Sequence, residues 1–400
     1  MRIIIIGGGV IGCTSAYWLR LAGHEVVLIE QEIEAGRGVS AGNGGQLSYA
    51  YVEPLAGPDL WTKFPAILLG LDSAVRMRPD LSLDSIRWGL SFLRHCVGAR
   101  QSHSLKGLLA LAAESHRALA ELLSDAPLTF DYAAAGKLIL YRDAKALDGA
   151  GRLAEIKRQY GFRIEILDRA RCLALDPALG RYGNPFAGGV YAPEDAAGDC
   201  AKFTRALYEH LRDAMGVETH GSTRVTHLKT VGGRVAGVEL DNEESLADAV
   251  VLANGIDAPR LAATVGLRLP IEPVKGYSIT APARPEAPVV SLTDRAEKIV
   301  FAHLGGRLRA AAFADLDGWS PAVNPKRAQQ LLALARHLFP MAAHWNEAEP
   351  VWAGQRPMTP SGVPLIGASG VPGLYLNAGH GGLGWTLACG AAKRLASLIE

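Results

Sequence analysis

Residues 1–30 read MRIIIIGGGVIGCTSAYWLRLAGHEVVLIE, and the order of residue types within them decides the fold class. Residues 3–6 are a run of isoleucine, the pattern of a strand buried on both faces. Gly7, Gly9 and Gly12 follow at GxGxxG spacing. Ala16, Leu19, Leu21 and Ala22 then supply the small and apolar positions of a helix, and Gly23 suits its C-terminal cap. Residues 26–29 form a second apolar strand with Glu30 at its end. The first glycine permits a tight turn and the second lets the backbone approach a pyrophosphate. The third lets helix and strand pack closely, so that the helix N-terminus aims free N–H groups at phosphates. Glu30 can accept hydrogen bonds from ribose hydroxyls. A lone GxGxxG is weak, but one between two strands with an acid about twenty residues on is an ADP-binding unit. FAD and NAD both remain open at this point.

Bulk properties exclude several classes. Four hundred residues suffice for two domains or one composite one. A net charge of +1 gives no electrostatic reason to bind nucleic acid. Five scattered cysteines without a CxxC pair read as buried thiols in a reducing compartment, and the eleven histidines show no ligand spacing. No metal site is expected. The apolar N-terminus is interrupted by glycines after four isoleucines, unlike a signal peptide, and no segment has the length of a membrane span. The expected location is cytoplasmic, with peripheral contact at the inner face of the membrane left open.

Further along, 34–46 (EAGRGVSAGNGGQ) is a Gly-rich loop expected to wrap closely around a ligand. Residues 60–100 suggest short helices and 104–123 a long one. A strand is expected at 137–141. Asp199 is a plausible N-cap for a helix over 200–215. Short strands follow at 217–220, 224–230, 234–240 and 249–252, with a hairpin at Gly232–Gly233. The last of these runs into Ala253, Asn254 and Gly255, another backbone turn at the end of a buried strand, where open α/β sheets meet ligands. Residues 270–281, 289–292, 298–303 and 307–313 alternate like antiparallel strands, and a helix is expected over 325–339. A strand at 373–377, a Gly-rich turn and a final helix from about Trp385 close the chain. The expected fold is α/β: a Rossmann-like dinucleotide domain built from discontinuous segments (1–50, 190–262 and 353–400), with an inserted mixed, largely antiparallel-sheet substrate domain (51–189 and 263–352).

Three further blocks carry a resemblance: SAGNGGQLSYAYVEP, PVKGYSIT, and VWAGQRPMTPSGVPLIG followed by LNAGHGGLGWTLACG. With the opening fingerprint they make the chain similar, over essentially its whole length, to the D-amino acid oxidase-like FAD oxidoreductases, and within them to bacterial D-amino acid dehydrogenases. The resemblance implies non-covalent FAD. Gly7, Gly9, Val10, Ile11 and Gly12 would hold its pyrophosphate, and Glu30 with Gln31 the adenosine ribose. Ser40, Ala41, Asn43, Gly44, Gly45 and Gln46 would line phosphates and flavin, Val225 would meet adenine through its backbone, and Ala253, Asn254 and Gly255 would complete that side. Gly379, His380, Gly381, Gly382, Leu383, Gly384, Trp385 and Thr386 would form a wall under the ring, with a helix N-terminus stabilising reduced flavin.

The same resemblance places Arg356 over the flavin, where a guanidinium can hold an α-carboxylate through two parallel hydrogen bonds. Tyr51 and Tyr277 are candidates for a carboxylate or amine contact, with core packing an equal reading, and His303 for a side-chain contact. The implied reaction is hydride transfer from Cα of a D-amino acid, then imine hydrolysis to a 2-oxo acid and ammonia. Electrons would pass to a quinone or other non-oxygen acceptor. A cyclic D-imino acid such as a D-hydroxyproline is the alternative substrate, Ala311, Ala312 and His303 being expected to reshape the pocket. A glycine or sarcosine oxidase and a non-catalytic FAD subunit of a complex are more distant alternatives.

Overall fold

Strand Arg2–Ile6 sits inside a six-stranded sheet ordered Leu365–Ala368, Leu374–Ala378, Ala249–Leu252, Arg2–Ile6, Glu25–Ile29 and Glu218–His220. All neighbours run parallel except the first pair. The structure, a computed structural model, describes residues 1–57, 67, 72–78, 82–241 and 243–399. Part of the 60–100 stretch expected to form short helices lies outside them. Ile3 and Ile5 enter one core with Leu108, Leu111 and Leu387, while Ile4 and Ile6 enter a second with Val27, Val225 and Val250. Both faces of the strand are therefore covered, which is why it can be isoleucine throughout.

Helix Val10–Leu21 returns across one face and packs on the last helix, Gly384–Ala396. That helix in turn packs on Gly98–Asp125, close enough that a Cβ at Gly390 would lie 2.6 Å from the Ser115 amide nitrogen. The long helix starts earlier than the sequence suggests. It also serves the dinucleotide side, not the substrate segment in which it was expected, because its leucines face the Ile3–Ile5 core. Strands Val225–Val231, Arg234–Leu240 and Glu244–Leu246 form a separate antiparallel sheet. Its first turn has Gly232 and Gly233 at φ 58° and 78°, the two left-handed positions that a tight hairpin demands.

The second large sheet has nine strands among the described residues. Its order is Trp352–Met358, Glu272–Pro282, Arg307–Leu316, Ile299–Leu304, Ser291–Asp294, Lys137–Tyr141, Gly188–Ala192 and Glu165–Asp168, and Val75–Met77 pairs with Arg307–Leu316. Helix Pro325–Leu338 covers its back through Leu331, Ala335 and Leu338. Its front meets the 40–46 loop. The Gln46 amide donates to the carbonyls of Leu292 (2.9 Å) and Phe301 (3.1 Å), and Arg309 donates to that of Asn43 (2.9 Å). Asp199 caps helix Cys200–Asp213 with one carboxylate oxygen and accepts from Arg307 with the other (2.8 Å). Strands Trp352–Met358 and Gly188–Ala192 belong to this sheet, although the sequence assigned most of each to the dinucleotide segments.

Among the described glycines, the closest approach of neighbouring backbone lies under the first turn. A Cβ on Gly12 would stand 1.7 Å from the Gly7 carbonyl oxygen. Gly12→Ala should therefore cost at least about 1–3 kcal/mol in denaturant unfolding, the range of core overpacking, and an unchanged midpoint would show that helix and strand are not locked there.

Candidate active site

Strands Arg2–Ile6 and Ala249–Leu252 are parallel neighbours in register, so the residues after them meet at one edge of the sheet, where open α/β sheets meet ligands. Gly7 (φ 106°) follows Arg2–Ile6, and Ala253–Asn254–Gly255 follow Ala249–Leu252. A Cβ at Gly7 would come within 2.8 Å of the Asn254 backbone, so only glycine lets these two ends approach. Gly9 is the N-cap of helix Val10–Leu21 and supplies no side-chain cap. The Val10 amide is instead taken by Ser40 Oγ at 3.1 Å. Glu30 is buried and accepts from the amides of Gly8 and Glu32, while burial pushes its carboxyl up. Val225 is buried nearby in the Ile4–Val27 core, and Gln31 is exposed. Asn254 Oδ1 is buried without a hydrogen-bond partner, one orphaned acceptor inside the cradle.

The 40–46 loop uses its glycines differently from the sequence expectation. Added Cβ atoms would strike the sheet: Gly42 the Trp352 ring (2.0 Å), Gly45 Leu304 (3.0 Å), and Gly44 would crowd Val300 (3.2 Å). Here glycine buys close seating of the loop on the protein's own second sheet, and Asn43 Oδ1 holds the Gly45 amide at 2.9 Å.

At the other end of the cradle, Leu374–Ala378 runs into Gly379 (φ 80°), His380 and Gly381 (φ 57°), then the turn Gly381–Leu383 and helix Gly384–Ala396. His380 forms an isolated antiparallel bridge with Met358, and a Cβ at Gly381 would fall 2.2 Å from Met358 Sδ. Burial lowers the His380 pKa to about 3, so the ring is neutral, and its Nε2 has no partner. The side chains of Trp385 and Thr386 face inward instead. Trp385 packs among Phe130 and Phe203 and donates to the Gly198 carbonyl (3.2 Å), and Thr386 Oγ1 accepts from the Ser48 amide (3.0 Å). Their contribution to the wall is the backbone of the helix start.

Arg356 lies where the two sheets meet. It pairs with Val274 across the strands, on the same face as Gly276, and a Cβ at Gly276 would sit 2.1 Å from its guanidinium. Its other side rests on the Gly381–Leu383 turn, 3.4 Å from a Cβ built at Gly382. One guanidinium nitrogen donates to the Phe313 carbonyl at 2.8 Å. Burial lowers its pKa, and the acid whose charge it feels, Asp315, is engaged by Arg327. No carboxylate within 4 Å pairs with Arg356 among the described residues. A half-buried guanidinium with a single carbonyl partner among the described residues is a site for an anion that can use its remaining N–H groups.

Strand alternation turns Tyr277 and His303 away from Arg356. Tyr277 is the neighbour of Gly276 and points the opposite way, into the core under helix Pro325–Leu338. His303 shares its face with Ile299 and Phe301 of that same core, whereas Val300, Ala302 and Leu304 face the loop. Of the alanine pair, Ala311 stands near Gly44 and Ala312 belongs to the back. Tyr51 lies at the far end of the front face, under the ammonium groups of Lys137 (4.5 Å) and Lys157 (5.1 Å) and accepting from Arg295 (3.0 Å). Lys137 is five strands from Arg356 in the sheet order, about 24 Å along it at 4.8 Å per strand. Tyr277 and His303 thus face away from Arg356, and Tyr51 stands at the other end of the sheet order from it. Gly276, within the quoted PVKGYSIT, was open to recognition as a close-approach position; the Phe313 carbonyl had no sequence signal.

The sequence profile of the FAD dependent oxidoreductase (DAO) family matches residues 2–398, and the chain belongs to that family. It is 41% identical over 408 residues to a D-amino acid dehydrogenase of Paramagnetospirillum magneticum, covering 100% of this chain and 95% of the relative. It is 40% identical to D-amino acid dehydrogenase 2 of Ralstonia nicotianae, with 100% and 96% covered. Among solved structures, the fold is similar to L-proline dehydrogenase from P. horikoshii (TM-score 0.77, 18% identity, 100% and 92% covered) and to glycine oxidase from Bacillus cereus (TM-score 0.73, 21% identity, 100% and 94% covered). The protein is thus an FAD-dependent oxidoreductase enzyme. The cradle fits the cofactor: the glycines needed for close approach, a helix N-terminus, and two orphaned buried atoms, Asn254 Oδ1 and His380 Nε2.

The neutral His380 generates a pH prediction. Its folded pKa lies below the ordinary value of 6.5, so its contribution to stability is complete above pH 6.5 and is lost as pH falls from there toward about 3. In that window the unfolding free energy of His380→Gln should fall less steeply with acidification than that of the parent, and parallel slopes would contradict a buried neutral imidazole.

Proposed function

We propose that the protein oxidises D-amino acids to 2-oxo acids and ammonia, with Arg356 as the group that holds the substrate carboxylate. The observation that carries this reading is the guanidinium pressed between Gly276 and Gly382, with no carboxylate partner among the described residues, at the junction of the dinucleotide cradle and the second sheet. Relatives covering the whole chain at about 40% identity carry the D-amino acid dehydrogenase name, which supports the substrate class. Bound FAD would accept the hydride, and Gly7, Gly9, Gly12, Glu30, Ser40 and the 379–384 turn would hold it. Arg356 fixes the carboxylate, and so the direction of the Cα–H bond, by a two-point contact. Neutral His380 adds no charge beneath the substrate, leaving the helix start at Gly384 as the source of positive potential on that wall.

The electron acceptor in this reading is a quinone or another non-oxygen oxidant, in keeping with the dehydrogenase relatives. Among the described residues no helix is long and apolar enough to cross a membrane. Peripheral contact is supported by helix Leu83–His95, which exposes Leu83 (69%), Ile86 (43%) and Leu90 (54%) along one stripe. On its other face Trp88 donates to the Met358 carbonyl (2.9 Å), so the same helix covers the strand that carries Arg356.

Anaerobic addition of D-alanine or cis-4-hydroxy-D-proline to the yellow holoenzyme should bleach the flavin, the panel also separating open-chain from cyclic substrates. A broad panel that bleaches nothing would sink the reading. Arg356→Ala should keep FAD and lose roughly two orders of magnitude in kcat/KM, the consequence of removing a charged two-point contact of a few kcal/mol. Unchanged kinetics would remove Arg356 from the site.

A further inference from the structure

The hydrogen bond that aims Arg356 comes from an unusual piece of backbone. Phe313 has φ 69°, a left-handed conformation that is costly for an aromatic residue. It sits in a bulge: Lys275 pairs with Asp315 and Tyr277 with Ala312, so Phe313 and Ala314 together oppose the single residue Gly276. The bulge interrupts the ladder beside Gly276, and the Phe313 carbonyl accepts from Arg356 at 2.8 Å.

Something has to hold this conformation, and the back of the sheet shows what does. Asp315, two residues on, is gripped by Arg327 from helix Pro325–Leu338, with Nε at 2.9 Å from one carboxylate oxygen and a second nitrogen on the other. Arg327 is 1% exposed, and its guanidinium lies 4.3 Å over the Phe313 ring. The Tyr277 ring closes the edge at 6.0 Å. One cation therefore fixes the residue of the bulge that is strained and the residue at which normal pairing resumes. A fully buried ion pair is a weak source of stability when compared with apolar groups of similar size, so its value here is geometric.

We propose that Arg327 and Asp315 are positioning residues, a clamp behind the sheet that holds the Phe313 bulge so that its carbonyl orients Arg356 toward the substrate carboxylate. Neither residue touches the substrate. The inference rests on the proposed role of Arg356 and can fail independently of it.

The test compares D-alanine with D-alaninamide, which lacks the carboxylate, using FAD-loaded Arg327→Lys and the double variant Arg327→Met with Asp315→Leu. Lysine keeps the charge but not the flat, forked grip. In the double variant the preference for D-alanine over the amide should fall about tenfold or more, mainly through KM, and in Arg327→Lys severalfold. Pyruvate binding, followed as a perturbation of the flavin spectrum, should weaken in parallel without turnover. Preference and pyruvate affinity within twofold of the parent in an FAD-loaded Arg327→Lys protein would overturn the clamp. Loss of fold or FAD in that conservative variant would overturn it too, by making the pair a folding element. Arg356→Ala is the control. If it retains the carboxylate preference, the substrate-binding reading itself is wrong; if it alone loses the preference, only the clamp is.

Discussion

The backbone bridge between Met358 and His380 is the contact on which the site depends. One partner ends the edge strand of the substrate sheet, and the other opens the Gly-rich turn leading into the last helix. Because the bridge is a main-chain contact, it tolerates no bulk between the elements, and Gly381 meets that requirement against Met358. Arg356, two residues before Met358, is thereby delivered onto the turn. Among the described residues the protein gives this half-buried cation a carbonyl and no carboxylate.

The same economy recurs around the cradle. Gly7 yields to the Asn254 backbone, Gly12 to the Gly7 carbonyl, Gly42 to Trp352 and Gly276 to the Arg356 guanidinium. Each marks a place where backbone comes closer than a methyl group allows, and all but the Gly12 contact join elements from distant parts of the chain. The 40–46 loop belongs to both halves of the molecule: Ser40 caps the first helix, while Asn43 and Gln46 are bonded to the second sheet. Movement of one sheet relative to the other would have to break these polar contacts together.

Much of this was legible in the chain. The two-sided burial of 3–6, the Asp199 cap and the Gly232–Gly233 hairpin follow from local residue chemistry, and all three are present as expected. Side-chain direction within the substrate sheet was less legible. Tyr277 and His303 lie on correctly anticipated strands, yet each is one residue out of phase with the Arg356 face, and a period of two makes that the difference between substrate and core. Ser291–Asp294 shows the related limit: the expected strand was 289–292, and a two-residue offset changes the neighbours without changing the pattern.

By itself the sequence determined the dinucleotide turn, the family of the chain and the residue types able to bind a carboxylate, because these depend on short-range chemistry and on blocks of neighbouring residues. Only the tertiary structure decided which candidates share a face, that helix Gly98–Asp125 packs with the cofactor side, and that a strained carbonyl at Phe313 orients Arg356. Those outcomes depend on strand phase, on a bulge in a non-glycine segment and on partners up to hundreds of residues apart, and no local pattern encodes them.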